Sequence, residues 1–406
     1  MKYSRLIIFS VLILDVISIG IMIPAFEGMQ QLYHLTTWNV SIFGLSLLLQ
    51  PGTLIALGMS LYALCAFFSA PLLGIISDRF GRKRPLLFSV LGTCLAYVIL
   101  MLTQSYWLYL FSRIVNGLTG GNISIIQAIL ADLSKTTEER NKNFGLLGAI
   151  FGIGFIIGPL LGTVLLKVST IESIFIFGAI LAALESIAIA FYYRETHHPD
   201  KGISLSLNII SPFVEYFSSP KISHYLWSYF VFNTGIFLFQ SVMTLAMFQY
   251  FQVPGENIGF FLAIQGALIA INQSLLYPRF WTKKFSPRTL IIGLHIVGII
   301  TFVIMGILHN FTLFALLWLA ISPLGSFVGA LYTTEVIAHT DRSNAGGVNG
   351  ILASIGSLTM IIGPMIGGFM LSTSIRTFFG TAIFIALSFI IIGFYFSSKK
   401  SKYEMV

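Results

Sequence analysis

The sequence predicts an all-α membrane protein: twelve transmembrane helices in two pseudo-symmetric six-helix bundles. Three observations carry that prediction. The composition is too apolar for water, twelve apolar runs have bilayer length, and landmarks of the first half recur 200 to 205 positions later. Of 406 residues, 56% are hydrophobic and only 9% charged, against about 25% charged in soluble domains. Cut into water-soluble domains, such a chain would leave Phe, Ile and Leu facing solvent, so the outer surface must meet lipid. The runs are continuous rather than alternating, which selects helices over a barrel.

A bilayer core takes about 20 apolar residues per helix. Span 1 (6–26) carries Asp15 midway, with Pro24 and Glu27 at its far end. Lys2 and Arg5 before it give it the look of a signal peptide, but Asp15 interrupts the run and no small-residue cleavage site follows, so it reads as a retained first helix. Residues 42–49 are apolar but too short to cross, and predict an interfacial helix. Spans 2 (54–77) and 3 (85–103) flank a basic turn, span 4 (107–131) contains Arg113, span 5 (144–166) is glycine-rich, and span 6 (171–193) holds Glu185. A polar stretch with His197, His198, Pro199, Asp200 and Pro212 precedes spans 7 (222–250), 8 (257–280), 9 (289–308), 10 (311–337), 11 (347–371) and 12 (376–397). The predicted division is an N-terminal bundle (1–193), a cytoplasmic linker (194–221) and a C-terminal bundle with a short tail (222–406).

The charges test this count. Of 23 Lys and Arg residues, only Lys167 and Arg376 fall on one side and Arg113 within a span; all others share the opposite side. Basic flanks are retained in the cytoplasm, so both termini are expected there, in a multi-pass protein of the cytoplasmic (inner) membrane. The net charge of +8 therefore points to topology and anionic headgroups rather than nucleic acid. Arg79-Phe80 recurs as Arg279-Phe280, Asp132 as Glu335, Glu139-Arg140 as Asp341-Arg342, and Gly158-Pro159 as Gly363-Pro364. A parallel repeat of six helices suits transporters that rock two bundles about a midplane site.

The strongest local signal is Gly74-Ile-Ile-Ser-Asp78-Arg79-Phe-Gly81-Arg82-Lys83-Arg84 between spans 2 and 3. Gly81 permits a tight turn and the basic run anchors the loop at headgroups. A carboxylate such as Asp78 at a helix boundary can dock on the positive end of a neighbouring helix while two bundles are closed, which makes the segment a gating candidate. The plainer reading is a positive-inside anchor.

This segment matches the signature loop of the major facilitator superfamily, and the resemblance runs the whole length. Arg113, Gly117 and Gly121 look like that superfamily's second motif, and Gly154, Gly158, Pro159 and Gly162 look like the motif of its antiporter branches. The region from Leu61-Tyr62-Ala63-Leu64 through Asp78-Arg79-Phe80-Gly81, with Arg140 and Phe144-Gly145, is similar to the drug:proton antiporters of the tetracycline-exporter-like group. The resemblance implies exchange of cytoplasmic amphipathic compounds for external protons.

Independently of the family, intramembrane ionisable groups are costly and mark function. Asp15, Arg113 and Glu185 are the candidates for proton coupling, Asp15 as the coupling carboxylate and Arg113 as its modulator; the alternative is a static buried pair. Asp132 and Glu335 end helices beside basic loops and predict salt bridges, and His295 predicts a hydrogen-bonded core position. Asn233, Phe237 and Gln240 on span 7, Gln265 and Asn272 on span 8, and Asn116 and Gln127 on span 4 predict a substrate cavity of apolar walls and uncharged polar groups; singly, each amide could instead join helices. Gly154, Gly158 and Gly162 form a small-residue stripe for close packing, with Pro159 permitting a bend.

Cys65 and Cys94 both lie in apolar runs, giving neither a disulfide framework nor a metal site. No nucleophile–base set or phosphate loop can be assembled, so an enzyme, a cofactor and a metal are not expected. The expected function is a proton-coupled exporter of a small amphipathic organic compound, acting as a monomer with substrate, protons and lipid as partners. A proton symporter importing a metabolite and a non-transporting membrane sensor are the alternatives.

Overall fold

Each apolar run folds as helix, because in hydrocarbon every backbone N–H and C=O must be satisfied within its own segment. The computed structural model describes residues 2–42, 45–134, 137–195, 214, 216–339, 345–371 and 376–403. Most of the linker (196–213), Lys135 and the Asp341-Arg342 pair lie outside the described residues. Among those described, nine helices have the length and apolarity to cross a bilayer, a bent pair (Asn257–Ile271 with Leu275–Lys284) has them when its two parts are taken together, and two shorter apolar helices, Gly152–Val168 and Thr377–Gly393, fall on spans 5 and 12. Each predicted span thus has a helical counterpart.

In chain order, α1 (Lys2–Ile21) passes through a 3-10 turn at Ile23–Ala25, where Pro24 sits, into α2 (Phe26–Leu32). The predicted interfacial helix at 42–49 is corrected: Trp38–Ile42 (β1) and Leu45–Leu49 (β2) pair as a two-stranded sheet. Trp38, Val40 and Ile42 alternate with Asn39 and Ser41 in β1, whereas Leu47–Leu49 in β2 is a plain apolar run that only its pairing with β1 distinguishes from a short helix. The chain continues with α3 (Pro51–Phe80), α4 (Lys83–Met101), α5 (Tyr106–Leu118), α6 (Asn122–Asp132), α7 (Thr137–Val168) and α8 (Glu172–Ile187). The second half comprises α9 (Ser223–Phe251), α10 (Gly255–Ile271), a π-helical stretch over Asn272–Trp281, α11 (Pro287–Ile307), α12 (Phe311–Gly325), α13 (Val328–Ala338), α14 (Ala345–Leu371) and α15 (Thr377–Tyr403).

Two spans expected as continuous helices are broken. Span 4 divides into α5 and α6 at Thr119-Gly120-Gly121, where glycine weakens the helix. The freed backbone groups are satisfied by Ser89 of α4, whose hydroxyl donates to the Thr119 carbonyl and accepts from the Gly121 N–H. Span 8 bends by 42° after α10. Pro278 lies in the π-helical stretch and withdraws a backbone donor there.

The helices group into two compact units. One comprises Met1–Trp38, Leu57–Leu207 and Met247–Ala267; the other comprises Asn39–Ala56, Asn208–Ala246 and Leu268–Val406. In the first, α1 packs along α7 and α8, and Ile8, Leu12, Val16, Ile125 and Ile129 are buried together. Phe88, Leu91 and Leu95 of α4, and Ile176, Ile180 and Leu184 of α8, are exposed in rows at helical spacing, which is the lipid-facing surface the composition requires. In the second unit, Phe239 lies 4.9 Å from Trp318, 5.2 Å from Phe378 and 5.5 Å from Phe302 between ring centroids, forming an aromatic core.

The glycine stripe of α7 sets how closely α1 approaches. A Cβ on Gly158 would lie 2.7 Å from Gly20 Cα, and one on Gly154 would lie 2.5 Å from Val16. Gly162 meets the Ile21 carbonyl, and Pro159 is buried within the same helix. The second half repeats the device: a Cβ on Gly363 of α14 would lie 2.8 Å from the Phe237 backbone, and Gly367 meets the Leu238 carbonyl of α9.

Candidate functional site

The break in span 4 builds the first site. It starts α6 at Asn122, whose side-chain amide donates to Asp15 Oδ1 at 2.6 Å. Asp15 is 2% exposed and its Oδ2 is buried without a hydrogen-bond partner. Glu185 of α8 is 1% exposed, both its carboxylate oxygens are buried without partners, and it lies within electrostatic reach of Asp15. Tyr97 donates its hydroxyl to the Ser18 carbonyl, one turn from Asp15, and both Tyr97 and Tyr62 feel the charges of Asp15 and Arg113.

Arg113 makes no ion pair with Asp15. Its guanidinium lies 5.7 Å from the Tyr109 ring centroid, its Nε donates to Ser112 Oγ at 3.4 Å, Nη1 lies 3.9 Å from the Met22 sulfur, and Nη2 is buried and unpartnered. Two buried acids and one buried guanidinium thus stand among tyrosines in this unit, Arg113 beside Met22, seven residues along the chain from Asp15. Their summed formal charge is negative with both acids ionised and zero with one proton bound.

The signature loop is a second constellation. Arg82, 4% exposed, donates through Nε to Asp132 Oδ2 at 2.8 Å, through Nη1 to Ser77 at 2.7 Å, and pairs with Asp78. Burial works against the charge, but the carboxylates of Asp132 and Asp78 outweigh it and hold the guanidinium above its ordinary pKa. Arg79 lies 5.4 Å from the Phe80 ring, and Ser77 donates to the Gly74 carbonyl at 2.7 Å. Gly81 has φ +92°, a left-handed conformation that favours glycine. The first amides of α4 are capped by Glu195: Oε1 accepts from the Arg82 N–H at 3.0 Å and Oε2 from the Lys83 N–H at 2.9 Å. In the second half, Glu335 accepts from Arg288 Nε at 3.3 Å and from the Tyr225 hydroxyl at 2.8 Å. Asp132 and Glu335, matched by position in the repeat, thus both hold an arginine.

The polar residues expected to line a cavity separate. Asn233 and Phe237 of α9 line a cavity of about 490 Å³ together with Tyr229, Thr333 and Gly356. Gln240, seven residues beyond Asn233, is exposed instead. Asn272 is buried and joins helices, its amide donating to the Pro323 carbonyl at 2.6 Å and its Oδ1 accepting from Trp281 Nε1 at 3.1 Å. Asn116 Oδ1 accepts from the Thr93 hydroxyl at 3.2 Å, Gln265 is buried, and Gln127 is half-buried on α6. His295 is a core histidine: Nδ1 donates to the Ile291 carbonyl at 2.7 Å and Nε2 meets Ser388 Oγ at 2.9 Å.

Asn122 and Glu195 escaped the sequence reading. The Gly120-Gly121 pair was the available signal for the first, since it marks a helix start at the next residue. Glu195 could have been suspected as an acid following span 6 on the side of the basic loop.

A helical membrane protein with this repeat, signature loop and buried charge cluster is a multi-pass transporter, and the chain belongs to the Major Facilitator Superfamily, whose family model matches residues 8–337. The class H tetracycline resistance protein of Pasteurella multocida is 29% identical over 379 residues, covering 92% of this chain and 90% of that protein. The class C tetracycline resistance protein of Escherichia coli is 28% identical over 396 residues, covering 93% and 92%. Among solved structures, the human organic anion transporter MFSD10 superposes with a TM-score of 0.69 at 19% identity, over 96% of this chain and 99% of that one. The nucleoside transporter NupG does so with a TM-score of 0.74 at 12% identity, over 97% and 99%.

Proposed function

We propose that this protein is a proton-coupled antiporter that exports a small amphipathic organic compound by alternating access between two six-helix bundles, 1–193 and 222–406, joined by the linker 194–221. It works as a monomer in the cytoplasmic membrane with both termini in the cytoplasm. The observation that carries this reading is the burial of Asp15, Glu185 and Arg113 in one unit, with three carboxylate oxygens lacking partners. Unpaired charge is costly in a low-dielectric interior, so the cluster is most stable with one proton bound. That proton is released when the site opens to water or when Arg113 moves toward the acids. Asp15 and Glu185 share the proton and Arg113 sets when it leaves. The signature loop, with Asp78, Arg79 and Arg82 about Gly81, works as the cytoplasmic gate. The closely packed glycine stripe of α7 limits proton leak. The tetracycline resistance relatives support an organic compound as the cargo.

Purified protein in liposomes with an imposed pH gradient provides the test. Substrate flux opposite to proton flux supports antiport, and its loss in Asp15→Asn and Glu185→Gln assigns the coupling. Parallel fluxes overturn antiport in favour of symport, and binding without flux favours a sensor.

A further inference from the structure

The cavity of the C-terminal unit carries information about the substrate. Its wall on α9 is a helical stripe of Tyr229, Phe232, Asn233, Ile236 and Phe237, with Thr333 of α13 and Gly356 of α14 opposite. About 490 Å³ lies within the range of about 300–1,000 Å³ typical of sites for drug-sized ligands. Among the described lining residues none is an acid, a lysine, an arginine or a histidine. A permanently charged group entering here would meet no counter-charge among these residues.

The hydroxyls of the wall are already oriented. Thr333 Oγ1 donates to the Gly329 carbonyl at 2.8 Å and Ser326 Oγ donates to the Pro323 carbonyl at 2.6 Å. Each hydroxyl has one hydrogen, so both oxygens are left as acceptors only. Asn233 stands one turn from Tyr229 on the same lining face of α9. The aromatic rings of Tyr229, Phe232 and Phe237 supply flat apolar surface. Two glycines have open space where a side chain would stand: a Cβ on Gly325 or on Gly356 would meet nothing within 4 Å.

We propose that this cavity selects an uncharged aromatic portion of the substrate bearing hydrogen-bond donors, with Thr333 and Asn233 setting the donor preference and Gly356 keeping the space open. The assignment of the ligand as transported substrate rests on the transport reading above; the binding preference does not.

The test uses the full chain in nanodiscs and isothermal titration calorimetry with three probes on one coumarin ring: aminomethylcoumarin and its dimethylamino and trimethylammonium analogues. Saturable binding of the amino compound is expected, with at least about fivefold weaker binding of the dimethylamino form, which lacks donors, and at least tenfold weaker binding of the cation. Gly356→Leu should weaken the amino compound at least tenfold without lowering the melting temperature, and Gly325→Val provides a second filling variant. Thr333→Val should erase most of the difference between amino and dimethylamino forms. No saturable binding of the amino compound, cation binding as tight as the neutral form, or unchanged affinity in both filling variants overturns the proposal. Expected binding in protein that shows no proton-coupled flux leaves this proposal standing and removes the transport reading; coupled flux with unchanged binding in the filling variants does the reverse.

Discussion

The Asn122 side-chain amide donates to Asp15 Oδ1 at 2.6 Å, while Oδ2 of the same carboxylate is buried with no partner. Half of this carboxylate is therefore held and half is free to take a proton. Asn122 can do this only because span 4 breaks one residue earlier, and Ser89 holds that break by bonding to both Thr119 and Gly121.

Replacing Asn122 with Leu removes the donor and keeps the branched heavy-atom shape. A hydrogen bond to a charged group contributes about 1.5–3 kcal/mol, so proton-driven transport should fall about tenfold or more. Asn122→Gln should recover part of it. Stopped-flow measurement of proton flux in liposomes checks both, and unchanged flux in Asn122→Leu would remove Asn122 from the coupling site.

Arg82 holds Asp132 through Nε and both Ser77 and Asp78 through Nη1. A lysine ammonium is a single point donor and cannot span them. The Asp78 side chain is 42% exposed and the Asp132 side chain 23%, so solvent screens the first pair more and most of the loss belongs to Asp132. Arg82→Ala should cost about 2–3 kcal/mol of stability and Arg82→Lys somewhat less, read from the denaturant midpoint of unfolding in mixed micelles.

Gly158→Ala places a methyl group 2.7 Å from Gly20 Cα, against backbone that cannot yield without separating α1 from α7. Overpacking of this kind costs about 1–3 kcal/mol. Gly152→Ala on the same helix meets nothing within 4 Å and should be neutral or slightly stabilising. Thermal denaturation of the two variants side by side separates packing from helix propensity.

Asn272→Leu leaves the Trp281 indole N–H without its acceptor and cuts the bond from the bent span to Pro323. An unsatisfied buried donor costs about 1–3 kcal/mol. Melting temperature should fall, with probe affinity in the C-terminal cavity changed less than twofold. A large affinity change with an unchanged melting temperature would make Asn272 a ligand contact instead.

Hydropathy determined the helical class and marked twelve candidate spans, each of them helical in the structure, because lipid acts on each residue in turn and a long run of apolar side chains leaves no other backbone solution. It also placed Asp15, Glu185 and Arg113 inside the membrane, since a charge within such a run is visible without any neighbour. The stretch 42–49 was misread because its Leu and Ile residues have the same hydropathy as a short helix, and only the pairing of Trp38–Ile42 with Leu45–Leu49 distinguishes them. Tertiary structure decided the rest. The break at Gly120-Gly121 required Ser89 from another helix, Asn122 met Asp15 through that break, and the amides of span 8 divided between a helix joint and a buried position. The physical reason is that a broken helix is stable only when a neighbour supplies the lost hydrogen bonds, and neither the neighbour nor its distance is encoded in local composition.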